Sequence, residues 1–222
     1  MKLNELLSKI GNKSLTKDAL CNKVEQDFSL IPKLIEGVSS PKPTVRYSCG
    51  NVLMDLSEKH PQRLYPYMDE FIKLLDSKHR ILTWNAIFII ANLAQVDDKQ
   101  KFDVVFDKYF SLLNNDYMIT VANIVVNSSK IALAKPYLMG KITEELLKVE
   151  DIGITPHLTE ECKRVIIEKT IRSFNQFYSK LENEAKVEVY DFVRKQLGSS
   201  RDAVRKEAEL FLDGWKASMQ SF

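Results

Sequence analysis

Side chains that bind metals or carry protons are few in this chain, and they are widely spaced. The three histidines, His60, His79 and His157, each lie at the boundary of a predicted helix. A helical metal site commonly uses a second histidine or cysteine one turn away on the same face, and none of the three has one four residues further on. We therefore expect solvated loop histidines, with no bound metal and no other cofactor.

The three cysteines, Cys21, Cys49 and Cys162, are also far apart, and their number is odd. Each falls within a helix-like pattern of apolar residues. Zinc and redox sites usually place two cysteines a few residues apart, and a disulfide framework needs an even number. The spacing therefore indicates buried, reduced thiols.

Adjacent carboxylates occur at several places, but their setting is that of a solvated helix surface. Asp97-Asp98, Glu144-Glu145 and Glu160-Glu161 stand on polar faces or near predicted helix ends, where acidic residues stabilise the first turn. The sequence also contains no glycine-rich phosphate loop, no Gly-x-Ser-x-Gly turn and no Cys-x-x-Cys pair. We therefore expect no catalytic residues and a protein that is not an enzyme.

The composition is that of a folded, globular protein with balanced charge. Apolar residues make up 45% of the chain and charged residues 28%, and 32 basic residues stand against 30 acidic ones. This balance does not demand a nucleic-acid partner. The N-terminal residues contain no signal-peptide hydrophobic run, and no apolar stretch is long enough to cross a bilayer. We expect a soluble, cytoplasmic protein.

The element around which the chain is organised is the stretch from 81 to 94, ILTWNAIFIIANLA. Its polar residues are only Thr83, Asn85 and Asn92, and its apolar residues cover nearly every side of a helix. A helix that is apolar all round belongs in a large core or in a membrane, and fourteen residues are too few to span a bilayer. The pattern predicts a core helix with neighbours on more than one side.

This helix is one copy of a repeat. Residues 44–56 align with residues 81–93 at an offset of 37, which places Val45 on Leu82, Cys49 on Ala86 and Leu53 on Ile90. Each copy has a small residue four positions after a large one and four before another, so that a neighbouring helix can approach closely. We predict further copies at Met118, Ala122 and Val126, at an offset of about 36, and at Val204, Ala208 and Leu212.

The helices that precede these copies repeat as well. The apolar row of Leu64, Met68, Phe71 and Leu75 corresponds, at an offset of 38, to Phe102, Phe106, Tyr109 and Leu113. No run of residues alternates as a half-buried strand would. The chain is therefore predicted to be an all-α single domain, 1–222, with a helical cap or degenerate repeat at 1–27, including a helix at 3–10. The predicted repeats are 28–60, 61–97, 98–134, 135–180 and 181–218.

In these features the chain resembles the HEAT-repeat proteins, which belong to the armadillo-like α-solenoids. The resemblance rests on the Leu-Leu-Asp end of one helix at 74–76 and on the Val-Arg pairs at Val45-Arg46 and Val204-Arg205. The second repeat departs with Leu82-Thr83 and the third with Met118-Ile119, and Cys162-Lys163 is the best match in the fourth. The resemblance implies a right-handed superhelix of about five helix pairs.

The core helix also resembles the third helix of an armadillo repeat. Asn92 stands where that family carries an asparagine that holds an extended peptide, and Phe88 where it often carries a tryptophan. By this resemblance the second helices line the concave side, and the function implied is a non-catalytic protein- or peptide-binding scaffold. The candidate contacts are Tyr47, Asn51, Asp55, Trp84, Phe88, Asn92, Asn123 and Asn127, although Asn92 as a satisfied interior amide and Trp84 and Phe88 as packing residues remain alternatives.

A second reading is a nucleic-acid-binding HEAT-like protein. The chain is similar in size and architecture to the HEAT-like alkylpurine DNA glycosylases, which depend on tryptophans near an essential aspartate and arginine. Trp84, Trp215 and Asp213 are present, but the paired Trp-Trp-Asp signature of those enzymes is not. The candidate nucleic-acid contacts would be Arg46, Lys163, Arg164, Arg205 and Lys206, with solvated or loop-bracing charges as the alternative interpretation.

Overall fold

The computed structural model describes residues 8–9, 11–12 and 15–219, and within this part of the chain it consists of helices and short connections. Outside helices it contains a single isolated β-bridge, between Thr155 and Leu158. The helix predicted at 3–10 and the beginning of the predicted cap lie largely outside the described residues. The contacts divide the chain into two compact units, Met1–Val105 (unit 1) and Phe106–Phe222 (unit 2).

Unit 1 alternates short and long helices. Thr16 begins the first of them, because its hydroxyl oxygen accepts a hydrogen bond from the Ala19 amide. Short 3₁₀ turns follow most of the helices. The helices are α1 (Lys17–Gln26), α2 (Ile31–Gly37), α3 (Pro43–Lys59), α4 (Pro61–Leu64), α5 (Met68–Lys73) and α6 (Arg80–Leu93), and α7 (Lys101–Ser111) begins in unit 1 and ends in unit 2.

The core of unit 1 lies where α3 packs on α6. Leu82, Ala86 and Ile90 are buried on one side of α6, while Ile87 and Ala91 are buried on another. The prediction of a core helix with neighbours on more than one side is therefore confirmed. The residues aligned with the first three, Val45, Cys49 and Leu53, are buried in α3, as is the predicted apolar row Leu64, Met68, Phe71 and Leu75 in the α4–α5 segment and the turn after it.

Helix α3 approaches α6 closely at Gly50. A Cβ atom placed there would lie 2.8 Å from Oδ1 of Asn85 and 3.0 Å from a methyl group of Leu82. Both distances are shorter than van der Waals contact, so a larger residue at this position would require the side chains of Asn85 and Leu82 to move. The small residues Cys49 and Ala86 are present as expected, and Gly50 adds a close contact one residue away from that alignment.

Unit 2 is built in the same way, with α8 packed on α10 and α10 on α12. The hydroxyl oxygen of Thr159 accepts a hydrogen bond from the Cys162 amide and so begins α10. The helices of this unit are α8 (Met118–Ala134), α9 (Met139–Leu147), α10 (Glu160–Phe177), α11 (Asn183–Lys195) and α12 (Asp202–Met219).

The long helices share a common start, which fixes the register of the repeat. The residue before each of α3, α6, α8, α10 and α12 accepts, at its carbonyl, the amide four residues further on. These residues are Lys42, His79, Tyr117, Thr159 and Arg201. In this register the predicted match of Cys162-Lys163 with Val45-Arg46 holds.

The third repeat is offset from the second by 38 residues in this register, and not by the 36 that we expected from sequence. Thr120, Ile124 and Ser128 are the buried residues that take the places of Leu82, Ala86 and Ile90, whereas Met118 and Val126 are only half-buried. The predicted placement of Met118, Ala122 and Val126 is therefore wrong. The preceding helix is also offset by 38 residues, so both helices of this repeat have the same spacing from the second repeat.

A side chain two positions before the helix start reinforces this register. The hydroxyl oxygens of Ser40, Ser77 and Ser199 and the amide oxygen of Asn115 each accept the backbone amide two residues later. Such turns are typical of serine and asparagine.

No described helix is both long and apolar enough to cross a membrane. The repeat boundaries and the single-domain organisation stay predictions.

Candidate binding face

Five of the six candidate contacts in unit 1 lie on one surface, formed by α3 and α6. We define the α3–α6 face by Tyr47, Asn51 and Asp55 on α3 and by Trp84 and Phe88 on α6. Their spacing of four residues keeps them on one side of each helix. All of them are half-buried, so that each is held by the helix layer and still reaches solvent.

Asn51 is oriented by an amide on the neighbouring helix. Nδ2 of Asn85 donates to Oδ1 of Asn51 at 3.2 Å and lies 3.5 Å from the sulfur of Met54. Within the described part of the chain, Nδ2 of Asn51 makes no hydrogen bond. The side chain therefore presents a hydrogen-bond donor to solvent on a fixed base, which is the group needed to bind a main-chain carbonyl.

Tyr47 and Asp55 mark the two ends of the face on α3. The Tyr47 ring packs edge-on against His79 at a centroid distance of 6.3 Å, and the guanidinium carbon of Arg46 lies 4.8 Å from its centroid. Burial of the imidazole and the nearby Arg46 lower the pKa of His79. Asp55 forms an ion pair of 2.6 Å with Lys17 of α1. The face thus carries little net charge.

Asn92 does not belong to this surface. Its side chain is 2% exposed, and its Nδ2 donates to Oγ of Ser57 at 2.9 Å in the interior of unit 1. The amide group connects α6 to α3. This agrees with the alternative interpretation from sequence, in which Asn92 is a satisfied interior amide. The structure therefore corrects its placement among the partner contacts.

The two asparagines predicted as contacts in unit 2 do not form an open face either. Asn127 is 1% exposed, and its Nδ2 donates to the backbone oxygen of Asn123 at 2.8 Å. Oδ1 of Asn127 is buried and has no hydrogen-bond partner in the described part of the chain. Only Asn123 is half-exposed, so the predicted pair on one accessible helix face is corrected as well.

Two of the basic candidate residues brace the turns before their own helices. Nη1 of Arg46 donates to the carbonyl oxygen of Ser40 at 2.9 Å, and Nη1 of Arg205 donates to that of Ser199 at 2.6 Å. Thr83, at the equivalent position of the second repeat, also donates to the carbonyl oxygen six residues earlier. The second residue of the Val-Arg pair therefore satisfies an orphan carbonyl, which is a structural role.

One of the remaining basic candidates, Arg164, lies in a network of ion pairs. It pairs with Glu161 at 2.9 Å. Further ion pairs connect α10 with α12 and with the residue before α12: Arg201 with Glu161 and Glu168, and Arg172 with Glu168 and Glu207. The pKa of the Glu161 carboxyl is lowered by the guanidinium groups that donate hydrogen bonds to it, mainly that of Arg164 and then that of Arg201. Lys163 and Lys206 make no ion pair with described residues. The network of arginines and glutamates was not expected from sequence.

Trp215 and Asp213 are not arranged as a catalytic pair. The indole N–H of Trp215 donates to Oδ1 of Asn175 at 2.8 Å, and its ring packs on Tyr178 at 5.1 Å. Asp213 is exposed on the same helix. This geometry holds the end of α12 against α10.

Each of the three histidines has a partner that the sequence did not indicate. Nε2 of His60 lies 3.3 Å from Oε1 of Glu25, the ring of His157 stacks on Tyr117 at 4.5 Å, and His79 packs against Tyr47. His157 is exposed in a turn, as expected of a solvated loop histidine, whereas His60 and His79 are half-buried. Among the described residues, no group of three or more histidines, cysteines and carboxylates could hold a metal ion.

The cysteines are free thiols in the structure. Cys21 and Cys49 are buried and Cys162 is half-buried. Burial raises the pKa of the Cys49 thiol to about 12 and also raises the pKa of Cys21. The buried, reduced thiols expected from sequence are thus found at Cys21 and Cys49.

Comparison with solved structures relates the fold to repeat proteins. One designed armadillo repeat protein shares 17% sequence identity, with a TM-score of 0.58 over 93% of this chain and 89% of that chain. A second, solved in complex with the peptide (KR)4, shares 16% identity, with a TM-score of 0.61 over 95% and 91%. A third, computationally designed for modular peptide recognition, shares 18% identity, with a TM-score of 0.61 over 93% and 89%. No protein-family profile matches the sequence, and no curated protein is similar to it.

These similarities establish the fold. The chain has an armadillo- or HEAT-like repeat solenoid architecture, and the predicted all-α class of repeated helix pairs is confirmed. At this level of sequence identity the similarity concerns the fold alone, and fold does not determine function.

Proposed function

We propose that the protein is a non-catalytic protein- or peptide-binding scaffold, and that the α3–α6 face of unit 1 receives an extended segment of a partner. The observation that carries this proposal is the half-buried state of Trp84 and Phe88 on α6, a helix whose other side chains are mostly buried. Next to them Asn51 presents an amide donor on a fixed base. Aromatic and amide groups together bind apolar side chains and the main chain of a peptide.

The rigidity of the helix layer supports this role. Asn51, Trp84 and Phe88 project from α3 and α6, which pack closely at Gly50. A partner that binds there does not have to order the scaffold, and this lowers the entropic cost of association. The rings supply apolar area, and the amide of Asn51 fixes the direction of the bound chain.

The solved neighbours are in keeping with a peptide partner. One is a designed armadillo repeat protein in complex with a peptide, and another was designed for modular peptide recognition. The partner of the present chain is proposed to be a protein or an extended peptide, bound without a cofactor.

We do not propose nucleic-acid binding, because three of the five basic residues that it would use are engaged within the protein. Arg46 and Arg205 bind turn carbonyls, and Arg164 is paired with Glu161. Nonspecific nucleic-acid binding depends on basic groups that neutralise phosphates. With Trp215 hydrogen-bonded to Asn175, the glycosylase-like alternative has no observation in its favour either.

The test is a selection of twelve-residue peptides from a random display library on the wild-type protein, followed by fluorescence anisotropy with the selected peptides. The double variant Trp84→Ala, Phe88→Ala should bind at least about tenfold more weakly, because aromatic contacts at an interface centre contribute 2 kcal/mol or more. Val104→Ala is the matched control, since Val104 is 87% exposed on α7 and outside the face.

Circular dichroism and thermal melting show whether the double variant is folded. Selected peptides that bind the folded double variant as tightly as the wild type would refute the assignment of the face. A wild-type protein that selects no peptide but retains nucleic acid through its basic residues would refute the scaffold proposal itself.

A further inference from the structure

A cleft of about 430 Å³ lies in unit 2, between α9 and α11. It is lined by the first half of α9, by the residues before α11 and by the first half of α11. We call it the α9–α11 cleft. Its volume is within the usual range for ligand sites, roughly 300–1,000 Å³.

The floor of this cleft is apolar and open. It is formed by Met139, Gly140, Leu181 and Ala185, of which Met139 and Leu181 are buried. A Cβ atom built on Gly140 would meet no other atom within 4 Å, so the space above this helix turn is unfilled. The aromatic ring of Tyr137, which is 60% exposed, also lines the cleft.

The rim is acidic. Four exposed carboxylates line the cleft, Glu144, Glu182, Glu184 and Glu188, against one lysine, Lys180. None of the four carboxylates makes a hydrogen bond or an ion pair with described residues. In this they differ from Glu168 of α10 and Glu207 of α12, which form ion pairs with arginines.

The four carboxylates differ in their positions within the helices. Glu182 and Glu184 stand at the start of α11, where negative charge offsets the helix dipole. Glu144 and Glu188 lie in the interior of α9 and α11, where no such benefit exists, and they face the same cleft. Unpaired negative charges that converge on a concave surface attract a cation.

We propose that the α9–α11 cleft binds lysine or arginine side chains of a basic peptide segment. The chemistry of the cleft matches these side chains in both parts: the apolar stem lies on Met139, Leu181 and Ala185, and the cationic head reaches Glu144 and Glu188. An arginine head can also stack on the Tyr137 ring. A metal ion would not interact with the apolar side chains of the floor. This site is separate from the α3–α6 face and does not depend on it.

The experiment measures the binding of a fluorescein-labelled peptide, Gly-Ala-Lys-Ala-Arg-Ala-Lys-Ala-Gly, to the full chain by anisotropy at low and at physiological salt. Glu144→Gln, Glu188→Gln should weaken binding by at least about tenfold, because two charge-assisted contacts are lost. The matched control is Glu36→Gln, Glu209→Gln, which removes the same charge from exposed positions on α2 and α12 and should leave the affinity within about twofold of the wild type.

A steric variant tests the cleft independently of charge. Gly140→Leu fills the open space above α9 without a clash of its Cβ, so it should fold and lose the peptide to the same extent. Trp84→Ala, Phe88→Ala should bind this peptide as the wild type does, which separates this proposal from the function assigned to the α3–α6 face.

Three results would overturn the proposal. The first is a peptide affinity that Gly140→Leu leaves unchanged in a folded protein. The second is an equal loss in the charge-matched control, which would indicate attraction by overall charge. The third is spermine displacing the peptide at an equal or lower concentration, which would make a free polyamine the better occupant.

Discussion

Nδ2 of Asn92 on α6 donates a hydrogen bond of 2.9 Å to Oγ of Ser57 on α3, in the interior of unit 1. The two side chains are 2% and 0% exposed. The Ser57 hydroxyl donates in turn to the carbonyl oxygen of Met54 at 2.6 Å, so it acts as donor and acceptor at once. A residue type that the armadillo resemblance assigns to peptide recognition thus joins two layers here.

Asn92→Ala should lower the free energy of unfolding by about 1–3 kcal/mol, because it removes a buried hydrogen bond and leaves a small cavity. Urea denaturation followed by circular dichroism measures this change. In a double-mutant cycle with Ser57→Ala, we expect a coupling energy of about 1 kcal/mol between the two positions. Single-variant costs that simply add would show that the bond between Asn92 and Ser57 does not stabilise the fold.

Gly50→Ala and Gly140→Ala are the same chemical change at two helical positions, and we expect opposite effects on stability. At Gly50 the added methyl group meets Asn85 and Leu82, and Asn85 is held by Asn51, so unfolding should become easier by about 1–3 kcal/mol. At Gly140 the methyl group meets nothing, and the gain in helix propensity should stabilise by about 0.5 kcal/mol. Thermal melts of both variants in the same buffer provide the comparison. A melting temperature of Gly50→Ala at or above that of the wild type would mean that α3 and α6 are less closely packed than the structure has them.

The sequence was sufficient to predict the core helix, because only burial on several sides accounts for apolar residues around the whole circumference of α6. It was sufficient for the apolar row on α4 and α5 for a similar reason, since the spacing of Leu64, Met68 and Phe71 places them on one side. These features depend on the chain alone. They were therefore readable without knowledge of neighbouring helices.

The register of the third repeat could not be read from the apolar pattern. Met118, Ala122 and Val126 satisfy the large-small-large spacing, whereas Thr120, Ile124 and Ser128, which occupy these places in the structure, do not. The register is determined by the residue before the helix, Tyr117, whose amide donates to Oδ1 of Asn115 at 3.1 Å. Ser77 has this role in the second repeat. The spacing of these turn residues was the signal in the sequence that the alignment of apolar residues missed.

The burial of Asn92 and Asn127 could not be predicted from the sequence, for a different reason. An asparagine that is buried and one that faces a partner have the same neighbours along the chain. Only the position of Ser57 on another helix determines that the Asn92 amide is satisfied inside the protein. The α9–α11 cleft is likewise a property of two helices together, and no segment of the sequence contains it.

Arg46→Ala should destabilise the protein by about 1–3 kcal/mol, because the side chain is 8% exposed and satisfies the carbonyl oxygen of Ser40. The same variant should leave the affinity for a duplex DNA oligonucleotide unchanged in an anisotropy assay at low salt. Lys206→Ala, which removes an exposed positive charge, is the control for electrostatic effects on both measurements. If Arg46→Ala weakened DNA binding and kept full stability, Arg46 would be a phosphate contact and the bracing role would be refuted.

The cysteines should differ sharply in reactivity. Cys49 is fully buried, and burial raises the pKa of its thiol to about 12, whereas Cys162 is half-buried at the start of α10. Because the thiolate is the reactive form, we expect Ellman's reagent at pH 8 to modify Cys162 in the native protein and Cys49 only after unfolding. Mass spectrometry of peptides from partly labelled protein identifies the sites. Rapid native labelling of Cys49 would show that the α3–α6 layer opens readily.

The same shift gives the stability of the protein a defined dependence on pH. The folded chain holds the Cys49 proton more tightly than the unfolded chain, whose thiol has a pKa near 9.0. The contribution of this group is therefore complete below pH 9 and is lost as the pH rises from about 9 towards about 12. Cys49→Ala, which installs the residue found at the equivalent Ala86, should show a smaller loss of unfolding free energy over this interval. Equal losses in the two proteins, measured by urea denaturation at pH 8 and pH 10.5, would show that the Cys49 thiol ionises in the folded state.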